Sequence, residues 1–242
     1  MNGPGCDKNA EQRSSSILLA KGLRQLHKKQ TRAMSLYNKL FARIYDPFMA
    51  AAERKKLGSW RRRLISPLQG QVLEVGAGTG ANFPFYRPGV EVLAVDPSIE
   101  MLAFAKKKKA ALLSKASIEL LPYGIGDPKL DERIKPASLD AVVATLVLCT
   151  IPDPQEAFKR FRTWLKPSGK LLILEHIHAQ NPLRRGLEKA INPLWKVLAE
   201  GCHLTRDTDL FLREAGFEAV SESYFHLGVR WYAAELIPKR KN

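Results

Sequence analysis

Between Gln71 and Ile237, short apolar runs alternate with longer segments in which apolar residues recur at helical spacing. Runs of the first kind read as strands buried on both faces, and the longer segments read as helices. The pattern predicts strands at Gln71–Val75, Val90–Val95, Ile118–Leu121, Leu139–Val147 and Lys170–His176. Gly80–Tyr86 reads as a short helical turn. Helices are predicted for Ser98–Leu113, Pro154–Leu165 and Arg206–Ala215. Ser98 suits the N-cap of the first, and Lys106–Lys109 lie toward its C-terminal half, where cations suit the helix dipole. This alternation calls for an α/β architecture, a mostly parallel, doubly wound sheet with helices on both faces. The last two runs, Phe217–Phe225 and Val229–Ile237, are joined at Leu227-Gly228. A connection that short makes an antiparallel hairpin, because a parallel crossover needs a dozen or more residues.

Upstream the period changes. Residues 1–13 read as disordered, and Ser14 to Phe48 as helical. There Ile17, Leu18, Leu19, Leu23 and Leu26 fall near one helix face among Lys21, Arg24, Lys28 and Lys29. Pro47 marks a break after Asp46, and a second helix is predicted from Met49 to Leu64. The expected organisation is a helical extension over residues 1–66 followed by an α/β domain over 67–242.

Charge sharpens that division. The chain of 242 residues carries a formal net charge of +15. Residues 1–66 hold 15 Lys/Arg against four acids, a net of +11, so the basic character belongs mainly to the extension. Such a segment suits an anionic membrane surface (residues 14–45), a nucleic acid, or an organellar transit signal that is later cleaved. The longest uncharged apolar stretch, Ala141 to Pro152, is 12 residues, too short to span a bilayer. Three cysteines, Cys6, Cys149 and Cys202, have no metal-ligand spacing, and no histidine pair has one either. No metal and no disulfide framework is expected, and the setting is expected to be intracellular, cytoplasmic or organellar.

The chemistry-bearing segment is Glu74-Val-Gly76-Ala-Gly78-Thr-Gly80, directly after the first strand. Glycines there permit a tight turn and bring backbone N–H groups close to a ligand. Glu74 can accept from the amino group of a bound amino acid. Asp96, at the end of the second strand, can accept from both ribose hydroxyls of an adenosine. Gly76-Ala-Gly78-Thr-Gly80-Ala81 also satisfies a relaxed dinucleotide fingerprint. Glu74, the extra Gly80 and the terminal hairpin favour a methyl donor instead.

These residues resemble the class I S-adenosylmethionine-dependent methyltransferases, whose sheet is Rossmann-like, and the resemblance runs from about Tyr45 to Ile237. It implies that Gly76, Gly78 and Gly80 hold the methionine moiety and Asp96 the ribose. Pro97 and Met101 would lie near the adenine, and Leu146–Leu148 near the sulfonium. Tyr45 with Asp46 resembles the pair that closes over the donor in ubiquinone-biosynthesis-type members. Asp127, in Gly126-Asp127, is the match for the acid that contacts the adenine amino group; it also reads as a turn residue.

The acceptor is less sharply written. No Asn/Asp-Pro-Pro-aromatic motif follows the fourth strand, which argues against exocyclic amines of nucleic acids. Glu175-His176, Asn192-Pro-Leu-Trp195 and Gly201-Cys202-His203-Leu204-Thr205-Arg206 resemble the methyltransferase-like-seven group of thiol S-methyltransferases. That resemblance implies a small lipophilic acceptor, a thiol first and a quinone-like or lipid molecule second. Animal members begin with an apolar anchor and this chain with a basic segment, so membrane residence is not inherited. His176 and His203 are candidate bases, Trp195 a candidate lid, and Arg206 a candidate partner for an acidic acceptor. The rival reading is an RNA- or ribosome-associated protein of the same fold that uses the basic arm.

Overall fold

A computed structural model describes residues 37–112 and 116–239. The chain divides into two compact units, Met1–Tyr45 and Asp46–Asn242. The expected disorder at 1–13 and nearly all of the basic helix at 14–45 lie outside the described residues. In the first unit, residues 37–45 are helical, and Phe41 and Tyr45, one turn apart, bring their rings to 5.7 Å.

The second unit opens with helical residues 46–52, a π-helical turn at Glu53–Leu57 and helix α1, Gly58–Ile65. The sheet has seven strands: β1 Gln71–Val75, β2 Glu91–Val95, β3 Ser117–Leu121, β4 Leu139–Thr145, β5 Leu165–Ile177, β6 Phe217–Leu227 and β7 Val229–Pro238. Their order is β3-β2-β1-β4-β5-β7-β6. The β1–β2, β2–β3, β1–β4 and β4–β5 pairs are parallel, while β7 is antiparallel to both β5 and β6. The expected α/β sheet with its terminal hairpin is therefore present. Helices α2 (Ile99–Ala111), α3 (Lys129–Arg133), α4 (Pro154–Trp164), α5 (Pro182–Leu198) and α6 (Thr208–Glu214) complete the unit. The 17-residue α5 has no counterpart among the elements predicted from the sequence.

Successive strand residues feed opposite cores, as a sheet covered on both faces requires. Leu73, Val142, Ala144, Leu171 and Ile173 pack with Phe158, Phe161 and Trp164 of α4. Val72, Val143, Leu172 and Leu174 pack on the other side with Leu57, Leu64 and Ile65. Trp60 of α1 stacks on Phe225 at 5.7 Å, and Phe225 on Trp231 at 5.9 Å, which ties α1 to the terminal hairpin. The expected boundary at residues 66/67 thus falls inside the second unit. Among the described residues no helix is long and apolar enough to cross a membrane.

Candidate active site

The glycine loop leaves the carboxyl end of β1, where the sheet order reverses between β1 and β4, the usual place for a ligand in an open α/β sheet. Gly76 has φ +66°, and a Cβ there would lie 2.2 Å from a Val147 side-chain carbon. Gly80 has φ +79°, and its Cβ would meet the Phe83 ring at 2.6 Å. Both positions need glycine for conformation and for space. Above Gly78 (φ +55°) the space is open but for Gly76 O at 4.0 Å.

Asp96 faces this loop from the end of β2. One carboxylate oxygen accepts from Gly78 N at 2.9 Å and the other from Ser98 N at 2.8 Å. Burial pushes its pKa up, and those two N–H groups oppose the shift. Ser98 caps α2 by accepting from Met101 N at 3.2 Å, which brings Met101 and Pro97 beside Asp96. Pro97 lies 3.8 Å from where a Gly124 Cβ would stand, so the turn after β3 comes close to this segment. Within that turn, Asp127 Oδ1 accepts from Lys129 N at 3.0 Å, and Asp127 serves as a turn residue leading into α3.

Beneath the loop runs a buried polar network that the sequence did not announce. Glu74 is 1% exposed; it accepts from Tyr86 Oη at 2.8 Å and from Asn82 Nδ2 at 3.1 Å. Asn82 also donates to Thr145 Oγ1 at 2.9 Å. Arg61 of α1, 3% exposed, donates to Asn82 Oδ1 at 2.7 Å and Thr145 Oγ1 at 2.8 Å, and pairs with Glu53 at 2.9 Å. Desolvation dominates at Glu74 and pushes its pKa up to about 7 against the lowering effect of Tyr86 and Asn82. Asp46 adds a strap over the loop, accepting from Thr79 Oγ1 at 2.5 Å and Lys108 Nζ at 2.9 Å. Tyr45 belongs to the first unit.

Past β4 the surroundings change character. Leu146 adopts φ +58°, a left-handed conformation costly for a branched side chain, and donates its N–H to Leu174 O at 2.9 Å. The loop beyond it carries Cys149, buried beside His176 of β5 and Cys202, and His176 Nε2 lies 3.1 Å from Cys202 Sγ. Hydrogen bonding to Cys149 and the His176 imidazole pull the Cys202 thiol down to about 4, whereas the Cys202 contact and burial push Cys149 up. Arg206 Nη1 donates to Leu148 O and to Ile151 O, which clamps the Cys149 loop. His203 donates its backbone N–H to Cys149 O at 3.0 Å, and burial with nearby Arg206 and Lys196 holds its imidazole pKa down. Glu200, in a left-handed turn after α5, faces Asp96 and Glu100; desolvation and these two carboxylates push its pKa up to about 7. Its Oε1 is buried with no hydrogen-bond partner. Nothing in the sequence pattern marked Glu200, because its neighbours come from β2 and α2.

Comparison with known proteins gives this geometry a family. Residues 73–173 match the family described as a methyltransferase domain. The chain is 30% identical over 202 residues to thiol S-methyltransferase TMT1B of Rattus norvegicus, covering 78% of this chain and 82% of that one. The chain belongs to this family of class I S-adenosylmethionine-dependent methyltransferases. The methyltransferase is also 30% identical over 220 residues to the mitochondrial methyltransferase OMS1 of Saccharomyces cerevisiae, spanning 83% of this chain and 45% of that longer one. Its fold matches the DhpI-SAH complex with a TM-score of 0.56 at 20% identity, covering 86% and 96% of the two chains. S-adenosylmethionine is therefore the cofactor of the methyltransferase, and the dinucleotide alternative falls away. The residues present fit that cofactor: an open approach over Gly78, an acid at the end of β2, and the unpartnered Glu200 oxygen beside it.

Proposed function

We propose that this methyltransferase transfers a methyl group to the sulfur of a small lipophilic thiol, with a quinone-like or lipid acceptor as the second choice. The kinship with TMT1B, named a thiol S-methyltransferase, carries this reading. The cofactor supplies an activated methyl group, so the protein's work is to align the acceptor and exclude water. Gly76, Gly78 and Gly80 hold the methionine moiety, and the lone pairs Glu74 retains suit its amino group. Asp96, fixed by Gly78 and Ser98, takes the ribose hydroxyls. Pro97, Met101 and Asp127 border the adenine, and Leu146 faces the sulfonium. Of the two candidate bases, His203 suits a proton acceptor because its depressed pKa keeps the ring neutral, whereas the His176 ring nitrogen faces Cys202.

The acceptor reaches this site from an anionic membrane surface. Helix α5 supports that setting beyond what the basic segment 14–45 suggests. Leu183, Leu187, Ile191, Leu194 and Leu198 recur at helical spacing and are 41–85% exposed. Arg184, Arg185, Lys189 and Lys196 accompany them against a single acid, Glu188. An apolar stripe with flanking cations is the signature of a helix lying in a lipid interface. An intracellular setting, cytoplasmic or organellar, accords with the mitochondrial name of the yeast relative.

The test is product analysis with the purified protein, S-adenosylmethionine and matched thiol, phenol and amine acceptors on one lipophilic scaffold. Thioether formation at least about tenfold faster than the other products, a difference of about 1.4 kcal/mol in barrier, is expected. Equal or faster methylation of oxygen or nitrogen would overturn the thiol assignment.

A further inference from the structure

Cys149, His176 and Cys202 are distant in sequence, yet the fold gathers one ligand atom from each within 4.8 Å of the others. All three side chains are buried, at 3%, 7% and 9% exposure. We propose that these three residues form a binding site for a thiophilic divalent metal ion of the zinc class, with the fourth coordination position taken by a ligand from solution.

Zinc bonds of about 2.3 Å to sulfur and 2.0–2.1 Å to nitrogen, set tetrahedrally, place ligand atoms roughly 3.5–3.8 Å apart. The His176 Nε2 to Cys202 Sγ separation of 3.1 Å is a few tenths of an ångström short of that spacing. With all three ligand atoms within 4.8 Å of one another, seating an ion asks for shifts of up to about an ångström. Two sulfurs and one imidazole are a donor set that selects zinc over hard cations, and three protein ligands are characteristic of sites that keep a position open.

The frame that carries the ligands is already locked. Cys149 N donates to Glu175 Oε2 at 3.3 Å, and His176 N donates to the other oxygen of the same carboxylate at 3.1 Å. His203 N to Cys149 O at 3.0 Å fastens the Cys202 turn to the Cys149 loop. Arg206 Nη1 holds Leu148 O and Ile151 O on either side of Cys149, and His178 N donates to Arg206 O at 3.2 Å. Three elements are thus fixed around one point by contacts that spare the ligand atoms themselves, as outer-shell support of a metal site does. Packing alone explains this poorly. Small apolar side chains would fill the same space without gathering two thiols, an imidazole, a fully buried carboxylate and a guanidinium.

The full-length protein, stripped of metal by chelator and kept reduced with a phosphine, is titrated with cobalt(II). One equivalent should produce the visible bands of four-coordinate cobalt and a near-ultraviolet thiolate-to-metal band, both abolished by excess zinc. Cys202→Ser and Cys149→Ser should each remove most of the thiolate band, and His176→Gln should weaken cobalt affinity at least about tenfold. Cys6→Ser should change nothing. Circular dichroism of each variant shows whether it is folded, and only folded variants are compared. Absence of the bands in the folded unsubstituted protein would overturn the site, and so would a thiolate band of undiminished intensity in folded Cys202→Ser or Cys149→Ser.

Discussion

The two sides of the sheet's carboxyl edge are built on different plans. On the β1–β2 side, the polar groups beneath the loop are chained to one another from Glu53 through Arg61, Asn82 and Thr145 to Glu74 and Tyr86. On the β4–β5 side, the loops carry soft nucleophilic side chains, and the helix above them has no buried residue. The donor is one fixed molecule, and a satisfied polar network holds its loop in a single shape. The proposed acceptor, arriving from an apolar phase, would require an apolar entrance, which the exposed stripe of α5 would provide. One side is thus tied down by polar contacts, and the other carries an exposed apolar stripe.

The largest effect is expected at Arg61. Arg61→Ala leaves Glu53, Asn82 and Thr145 without their shared donor, and loss of one member of a buried charged network costs about 3–5 kcal/mol. Urea unfolding should show a loss of that size, and a loss below about 1 kcal/mol would mean that the network does not hold the loop. Glu74 gives the next effect, and its sign follows from its pKa. The folded protein holds the Glu74 proton up to about pH 7, whereas the unfolded chain releases it near 4.5. The stability from that proton is complete below about pH 4.5 and is lost as pH rises through 7. The difference amounts to about 3 kcal/mol at 1.36 kcal/mol per pKa unit. Stability measured from pH 5 to 8 should therefore fall less steeply in Glu74→Gln than in the parent, and parallel curves would contradict the assignment.

Much of the β1–β2 side was legible because its parts are local. Gly76, Gly78 and Gly80 follow a strand whose bounds, Gln71–Val75, the hydrophobic pattern gave directly. Asp96 ends the next strand, and Ser98 caps the following helix as its position predicted. Partner identities were not legible: Arg61 was counted among the basic residues of the extension, yet it lies 3% exposed in the interior. Helix α5 was not predicted, and its sequence carries Pro182, Gly186 and Pro193, residue types that ordinarily interrupt a helical pattern. Asn181 in fact caps it, accepting from Leu183 N and Arg184 N, and Pro182 fills the first turn, where proline is tolerated. Cys149, His176 and Cys202 show no ligand spacing along the chain because each comes from a different element, and only the fold brings them together.

Two smaller effects sharpen the contrast on the β4–β5 side. Leu187→Asp with Leu194→Asp places charges on the exposed stripe and should lower partitioning onto anionic vesicles about tenfold, roughly 1.4 kcal/mol. Because both side chains are exposed, unfolding should change little. Co-sedimentation that is unchanged, or equal on neutral and anionic vesicles, would remove the membrane from the account. Glu200→Gln should raise stability by less than about 1 kcal/mol at pH 8, since the carboxylate is half solvated and screened, and by almost nothing at pH 5. The direction follows from a carboxyl whose pKa is pushed up to about 7 beside Asp96 and Glu100. A loss of stability at pH 8 would show that the Glu200 charge is favourable where it stands.

On the proposed function, the glycine loop and Asp96 together form the donor site. Calorimetric titration of the protein with S-adenosylhomocysteine, repeated on Asp96→Ala, tests it most directly. Micromolar binding that weakens at least about a hundredfold in the folded variant, about 2.8 kcal/mol, is the predicted result. Binding of equal strength in the parent and the variant, or none to the folded parent, would contradict it.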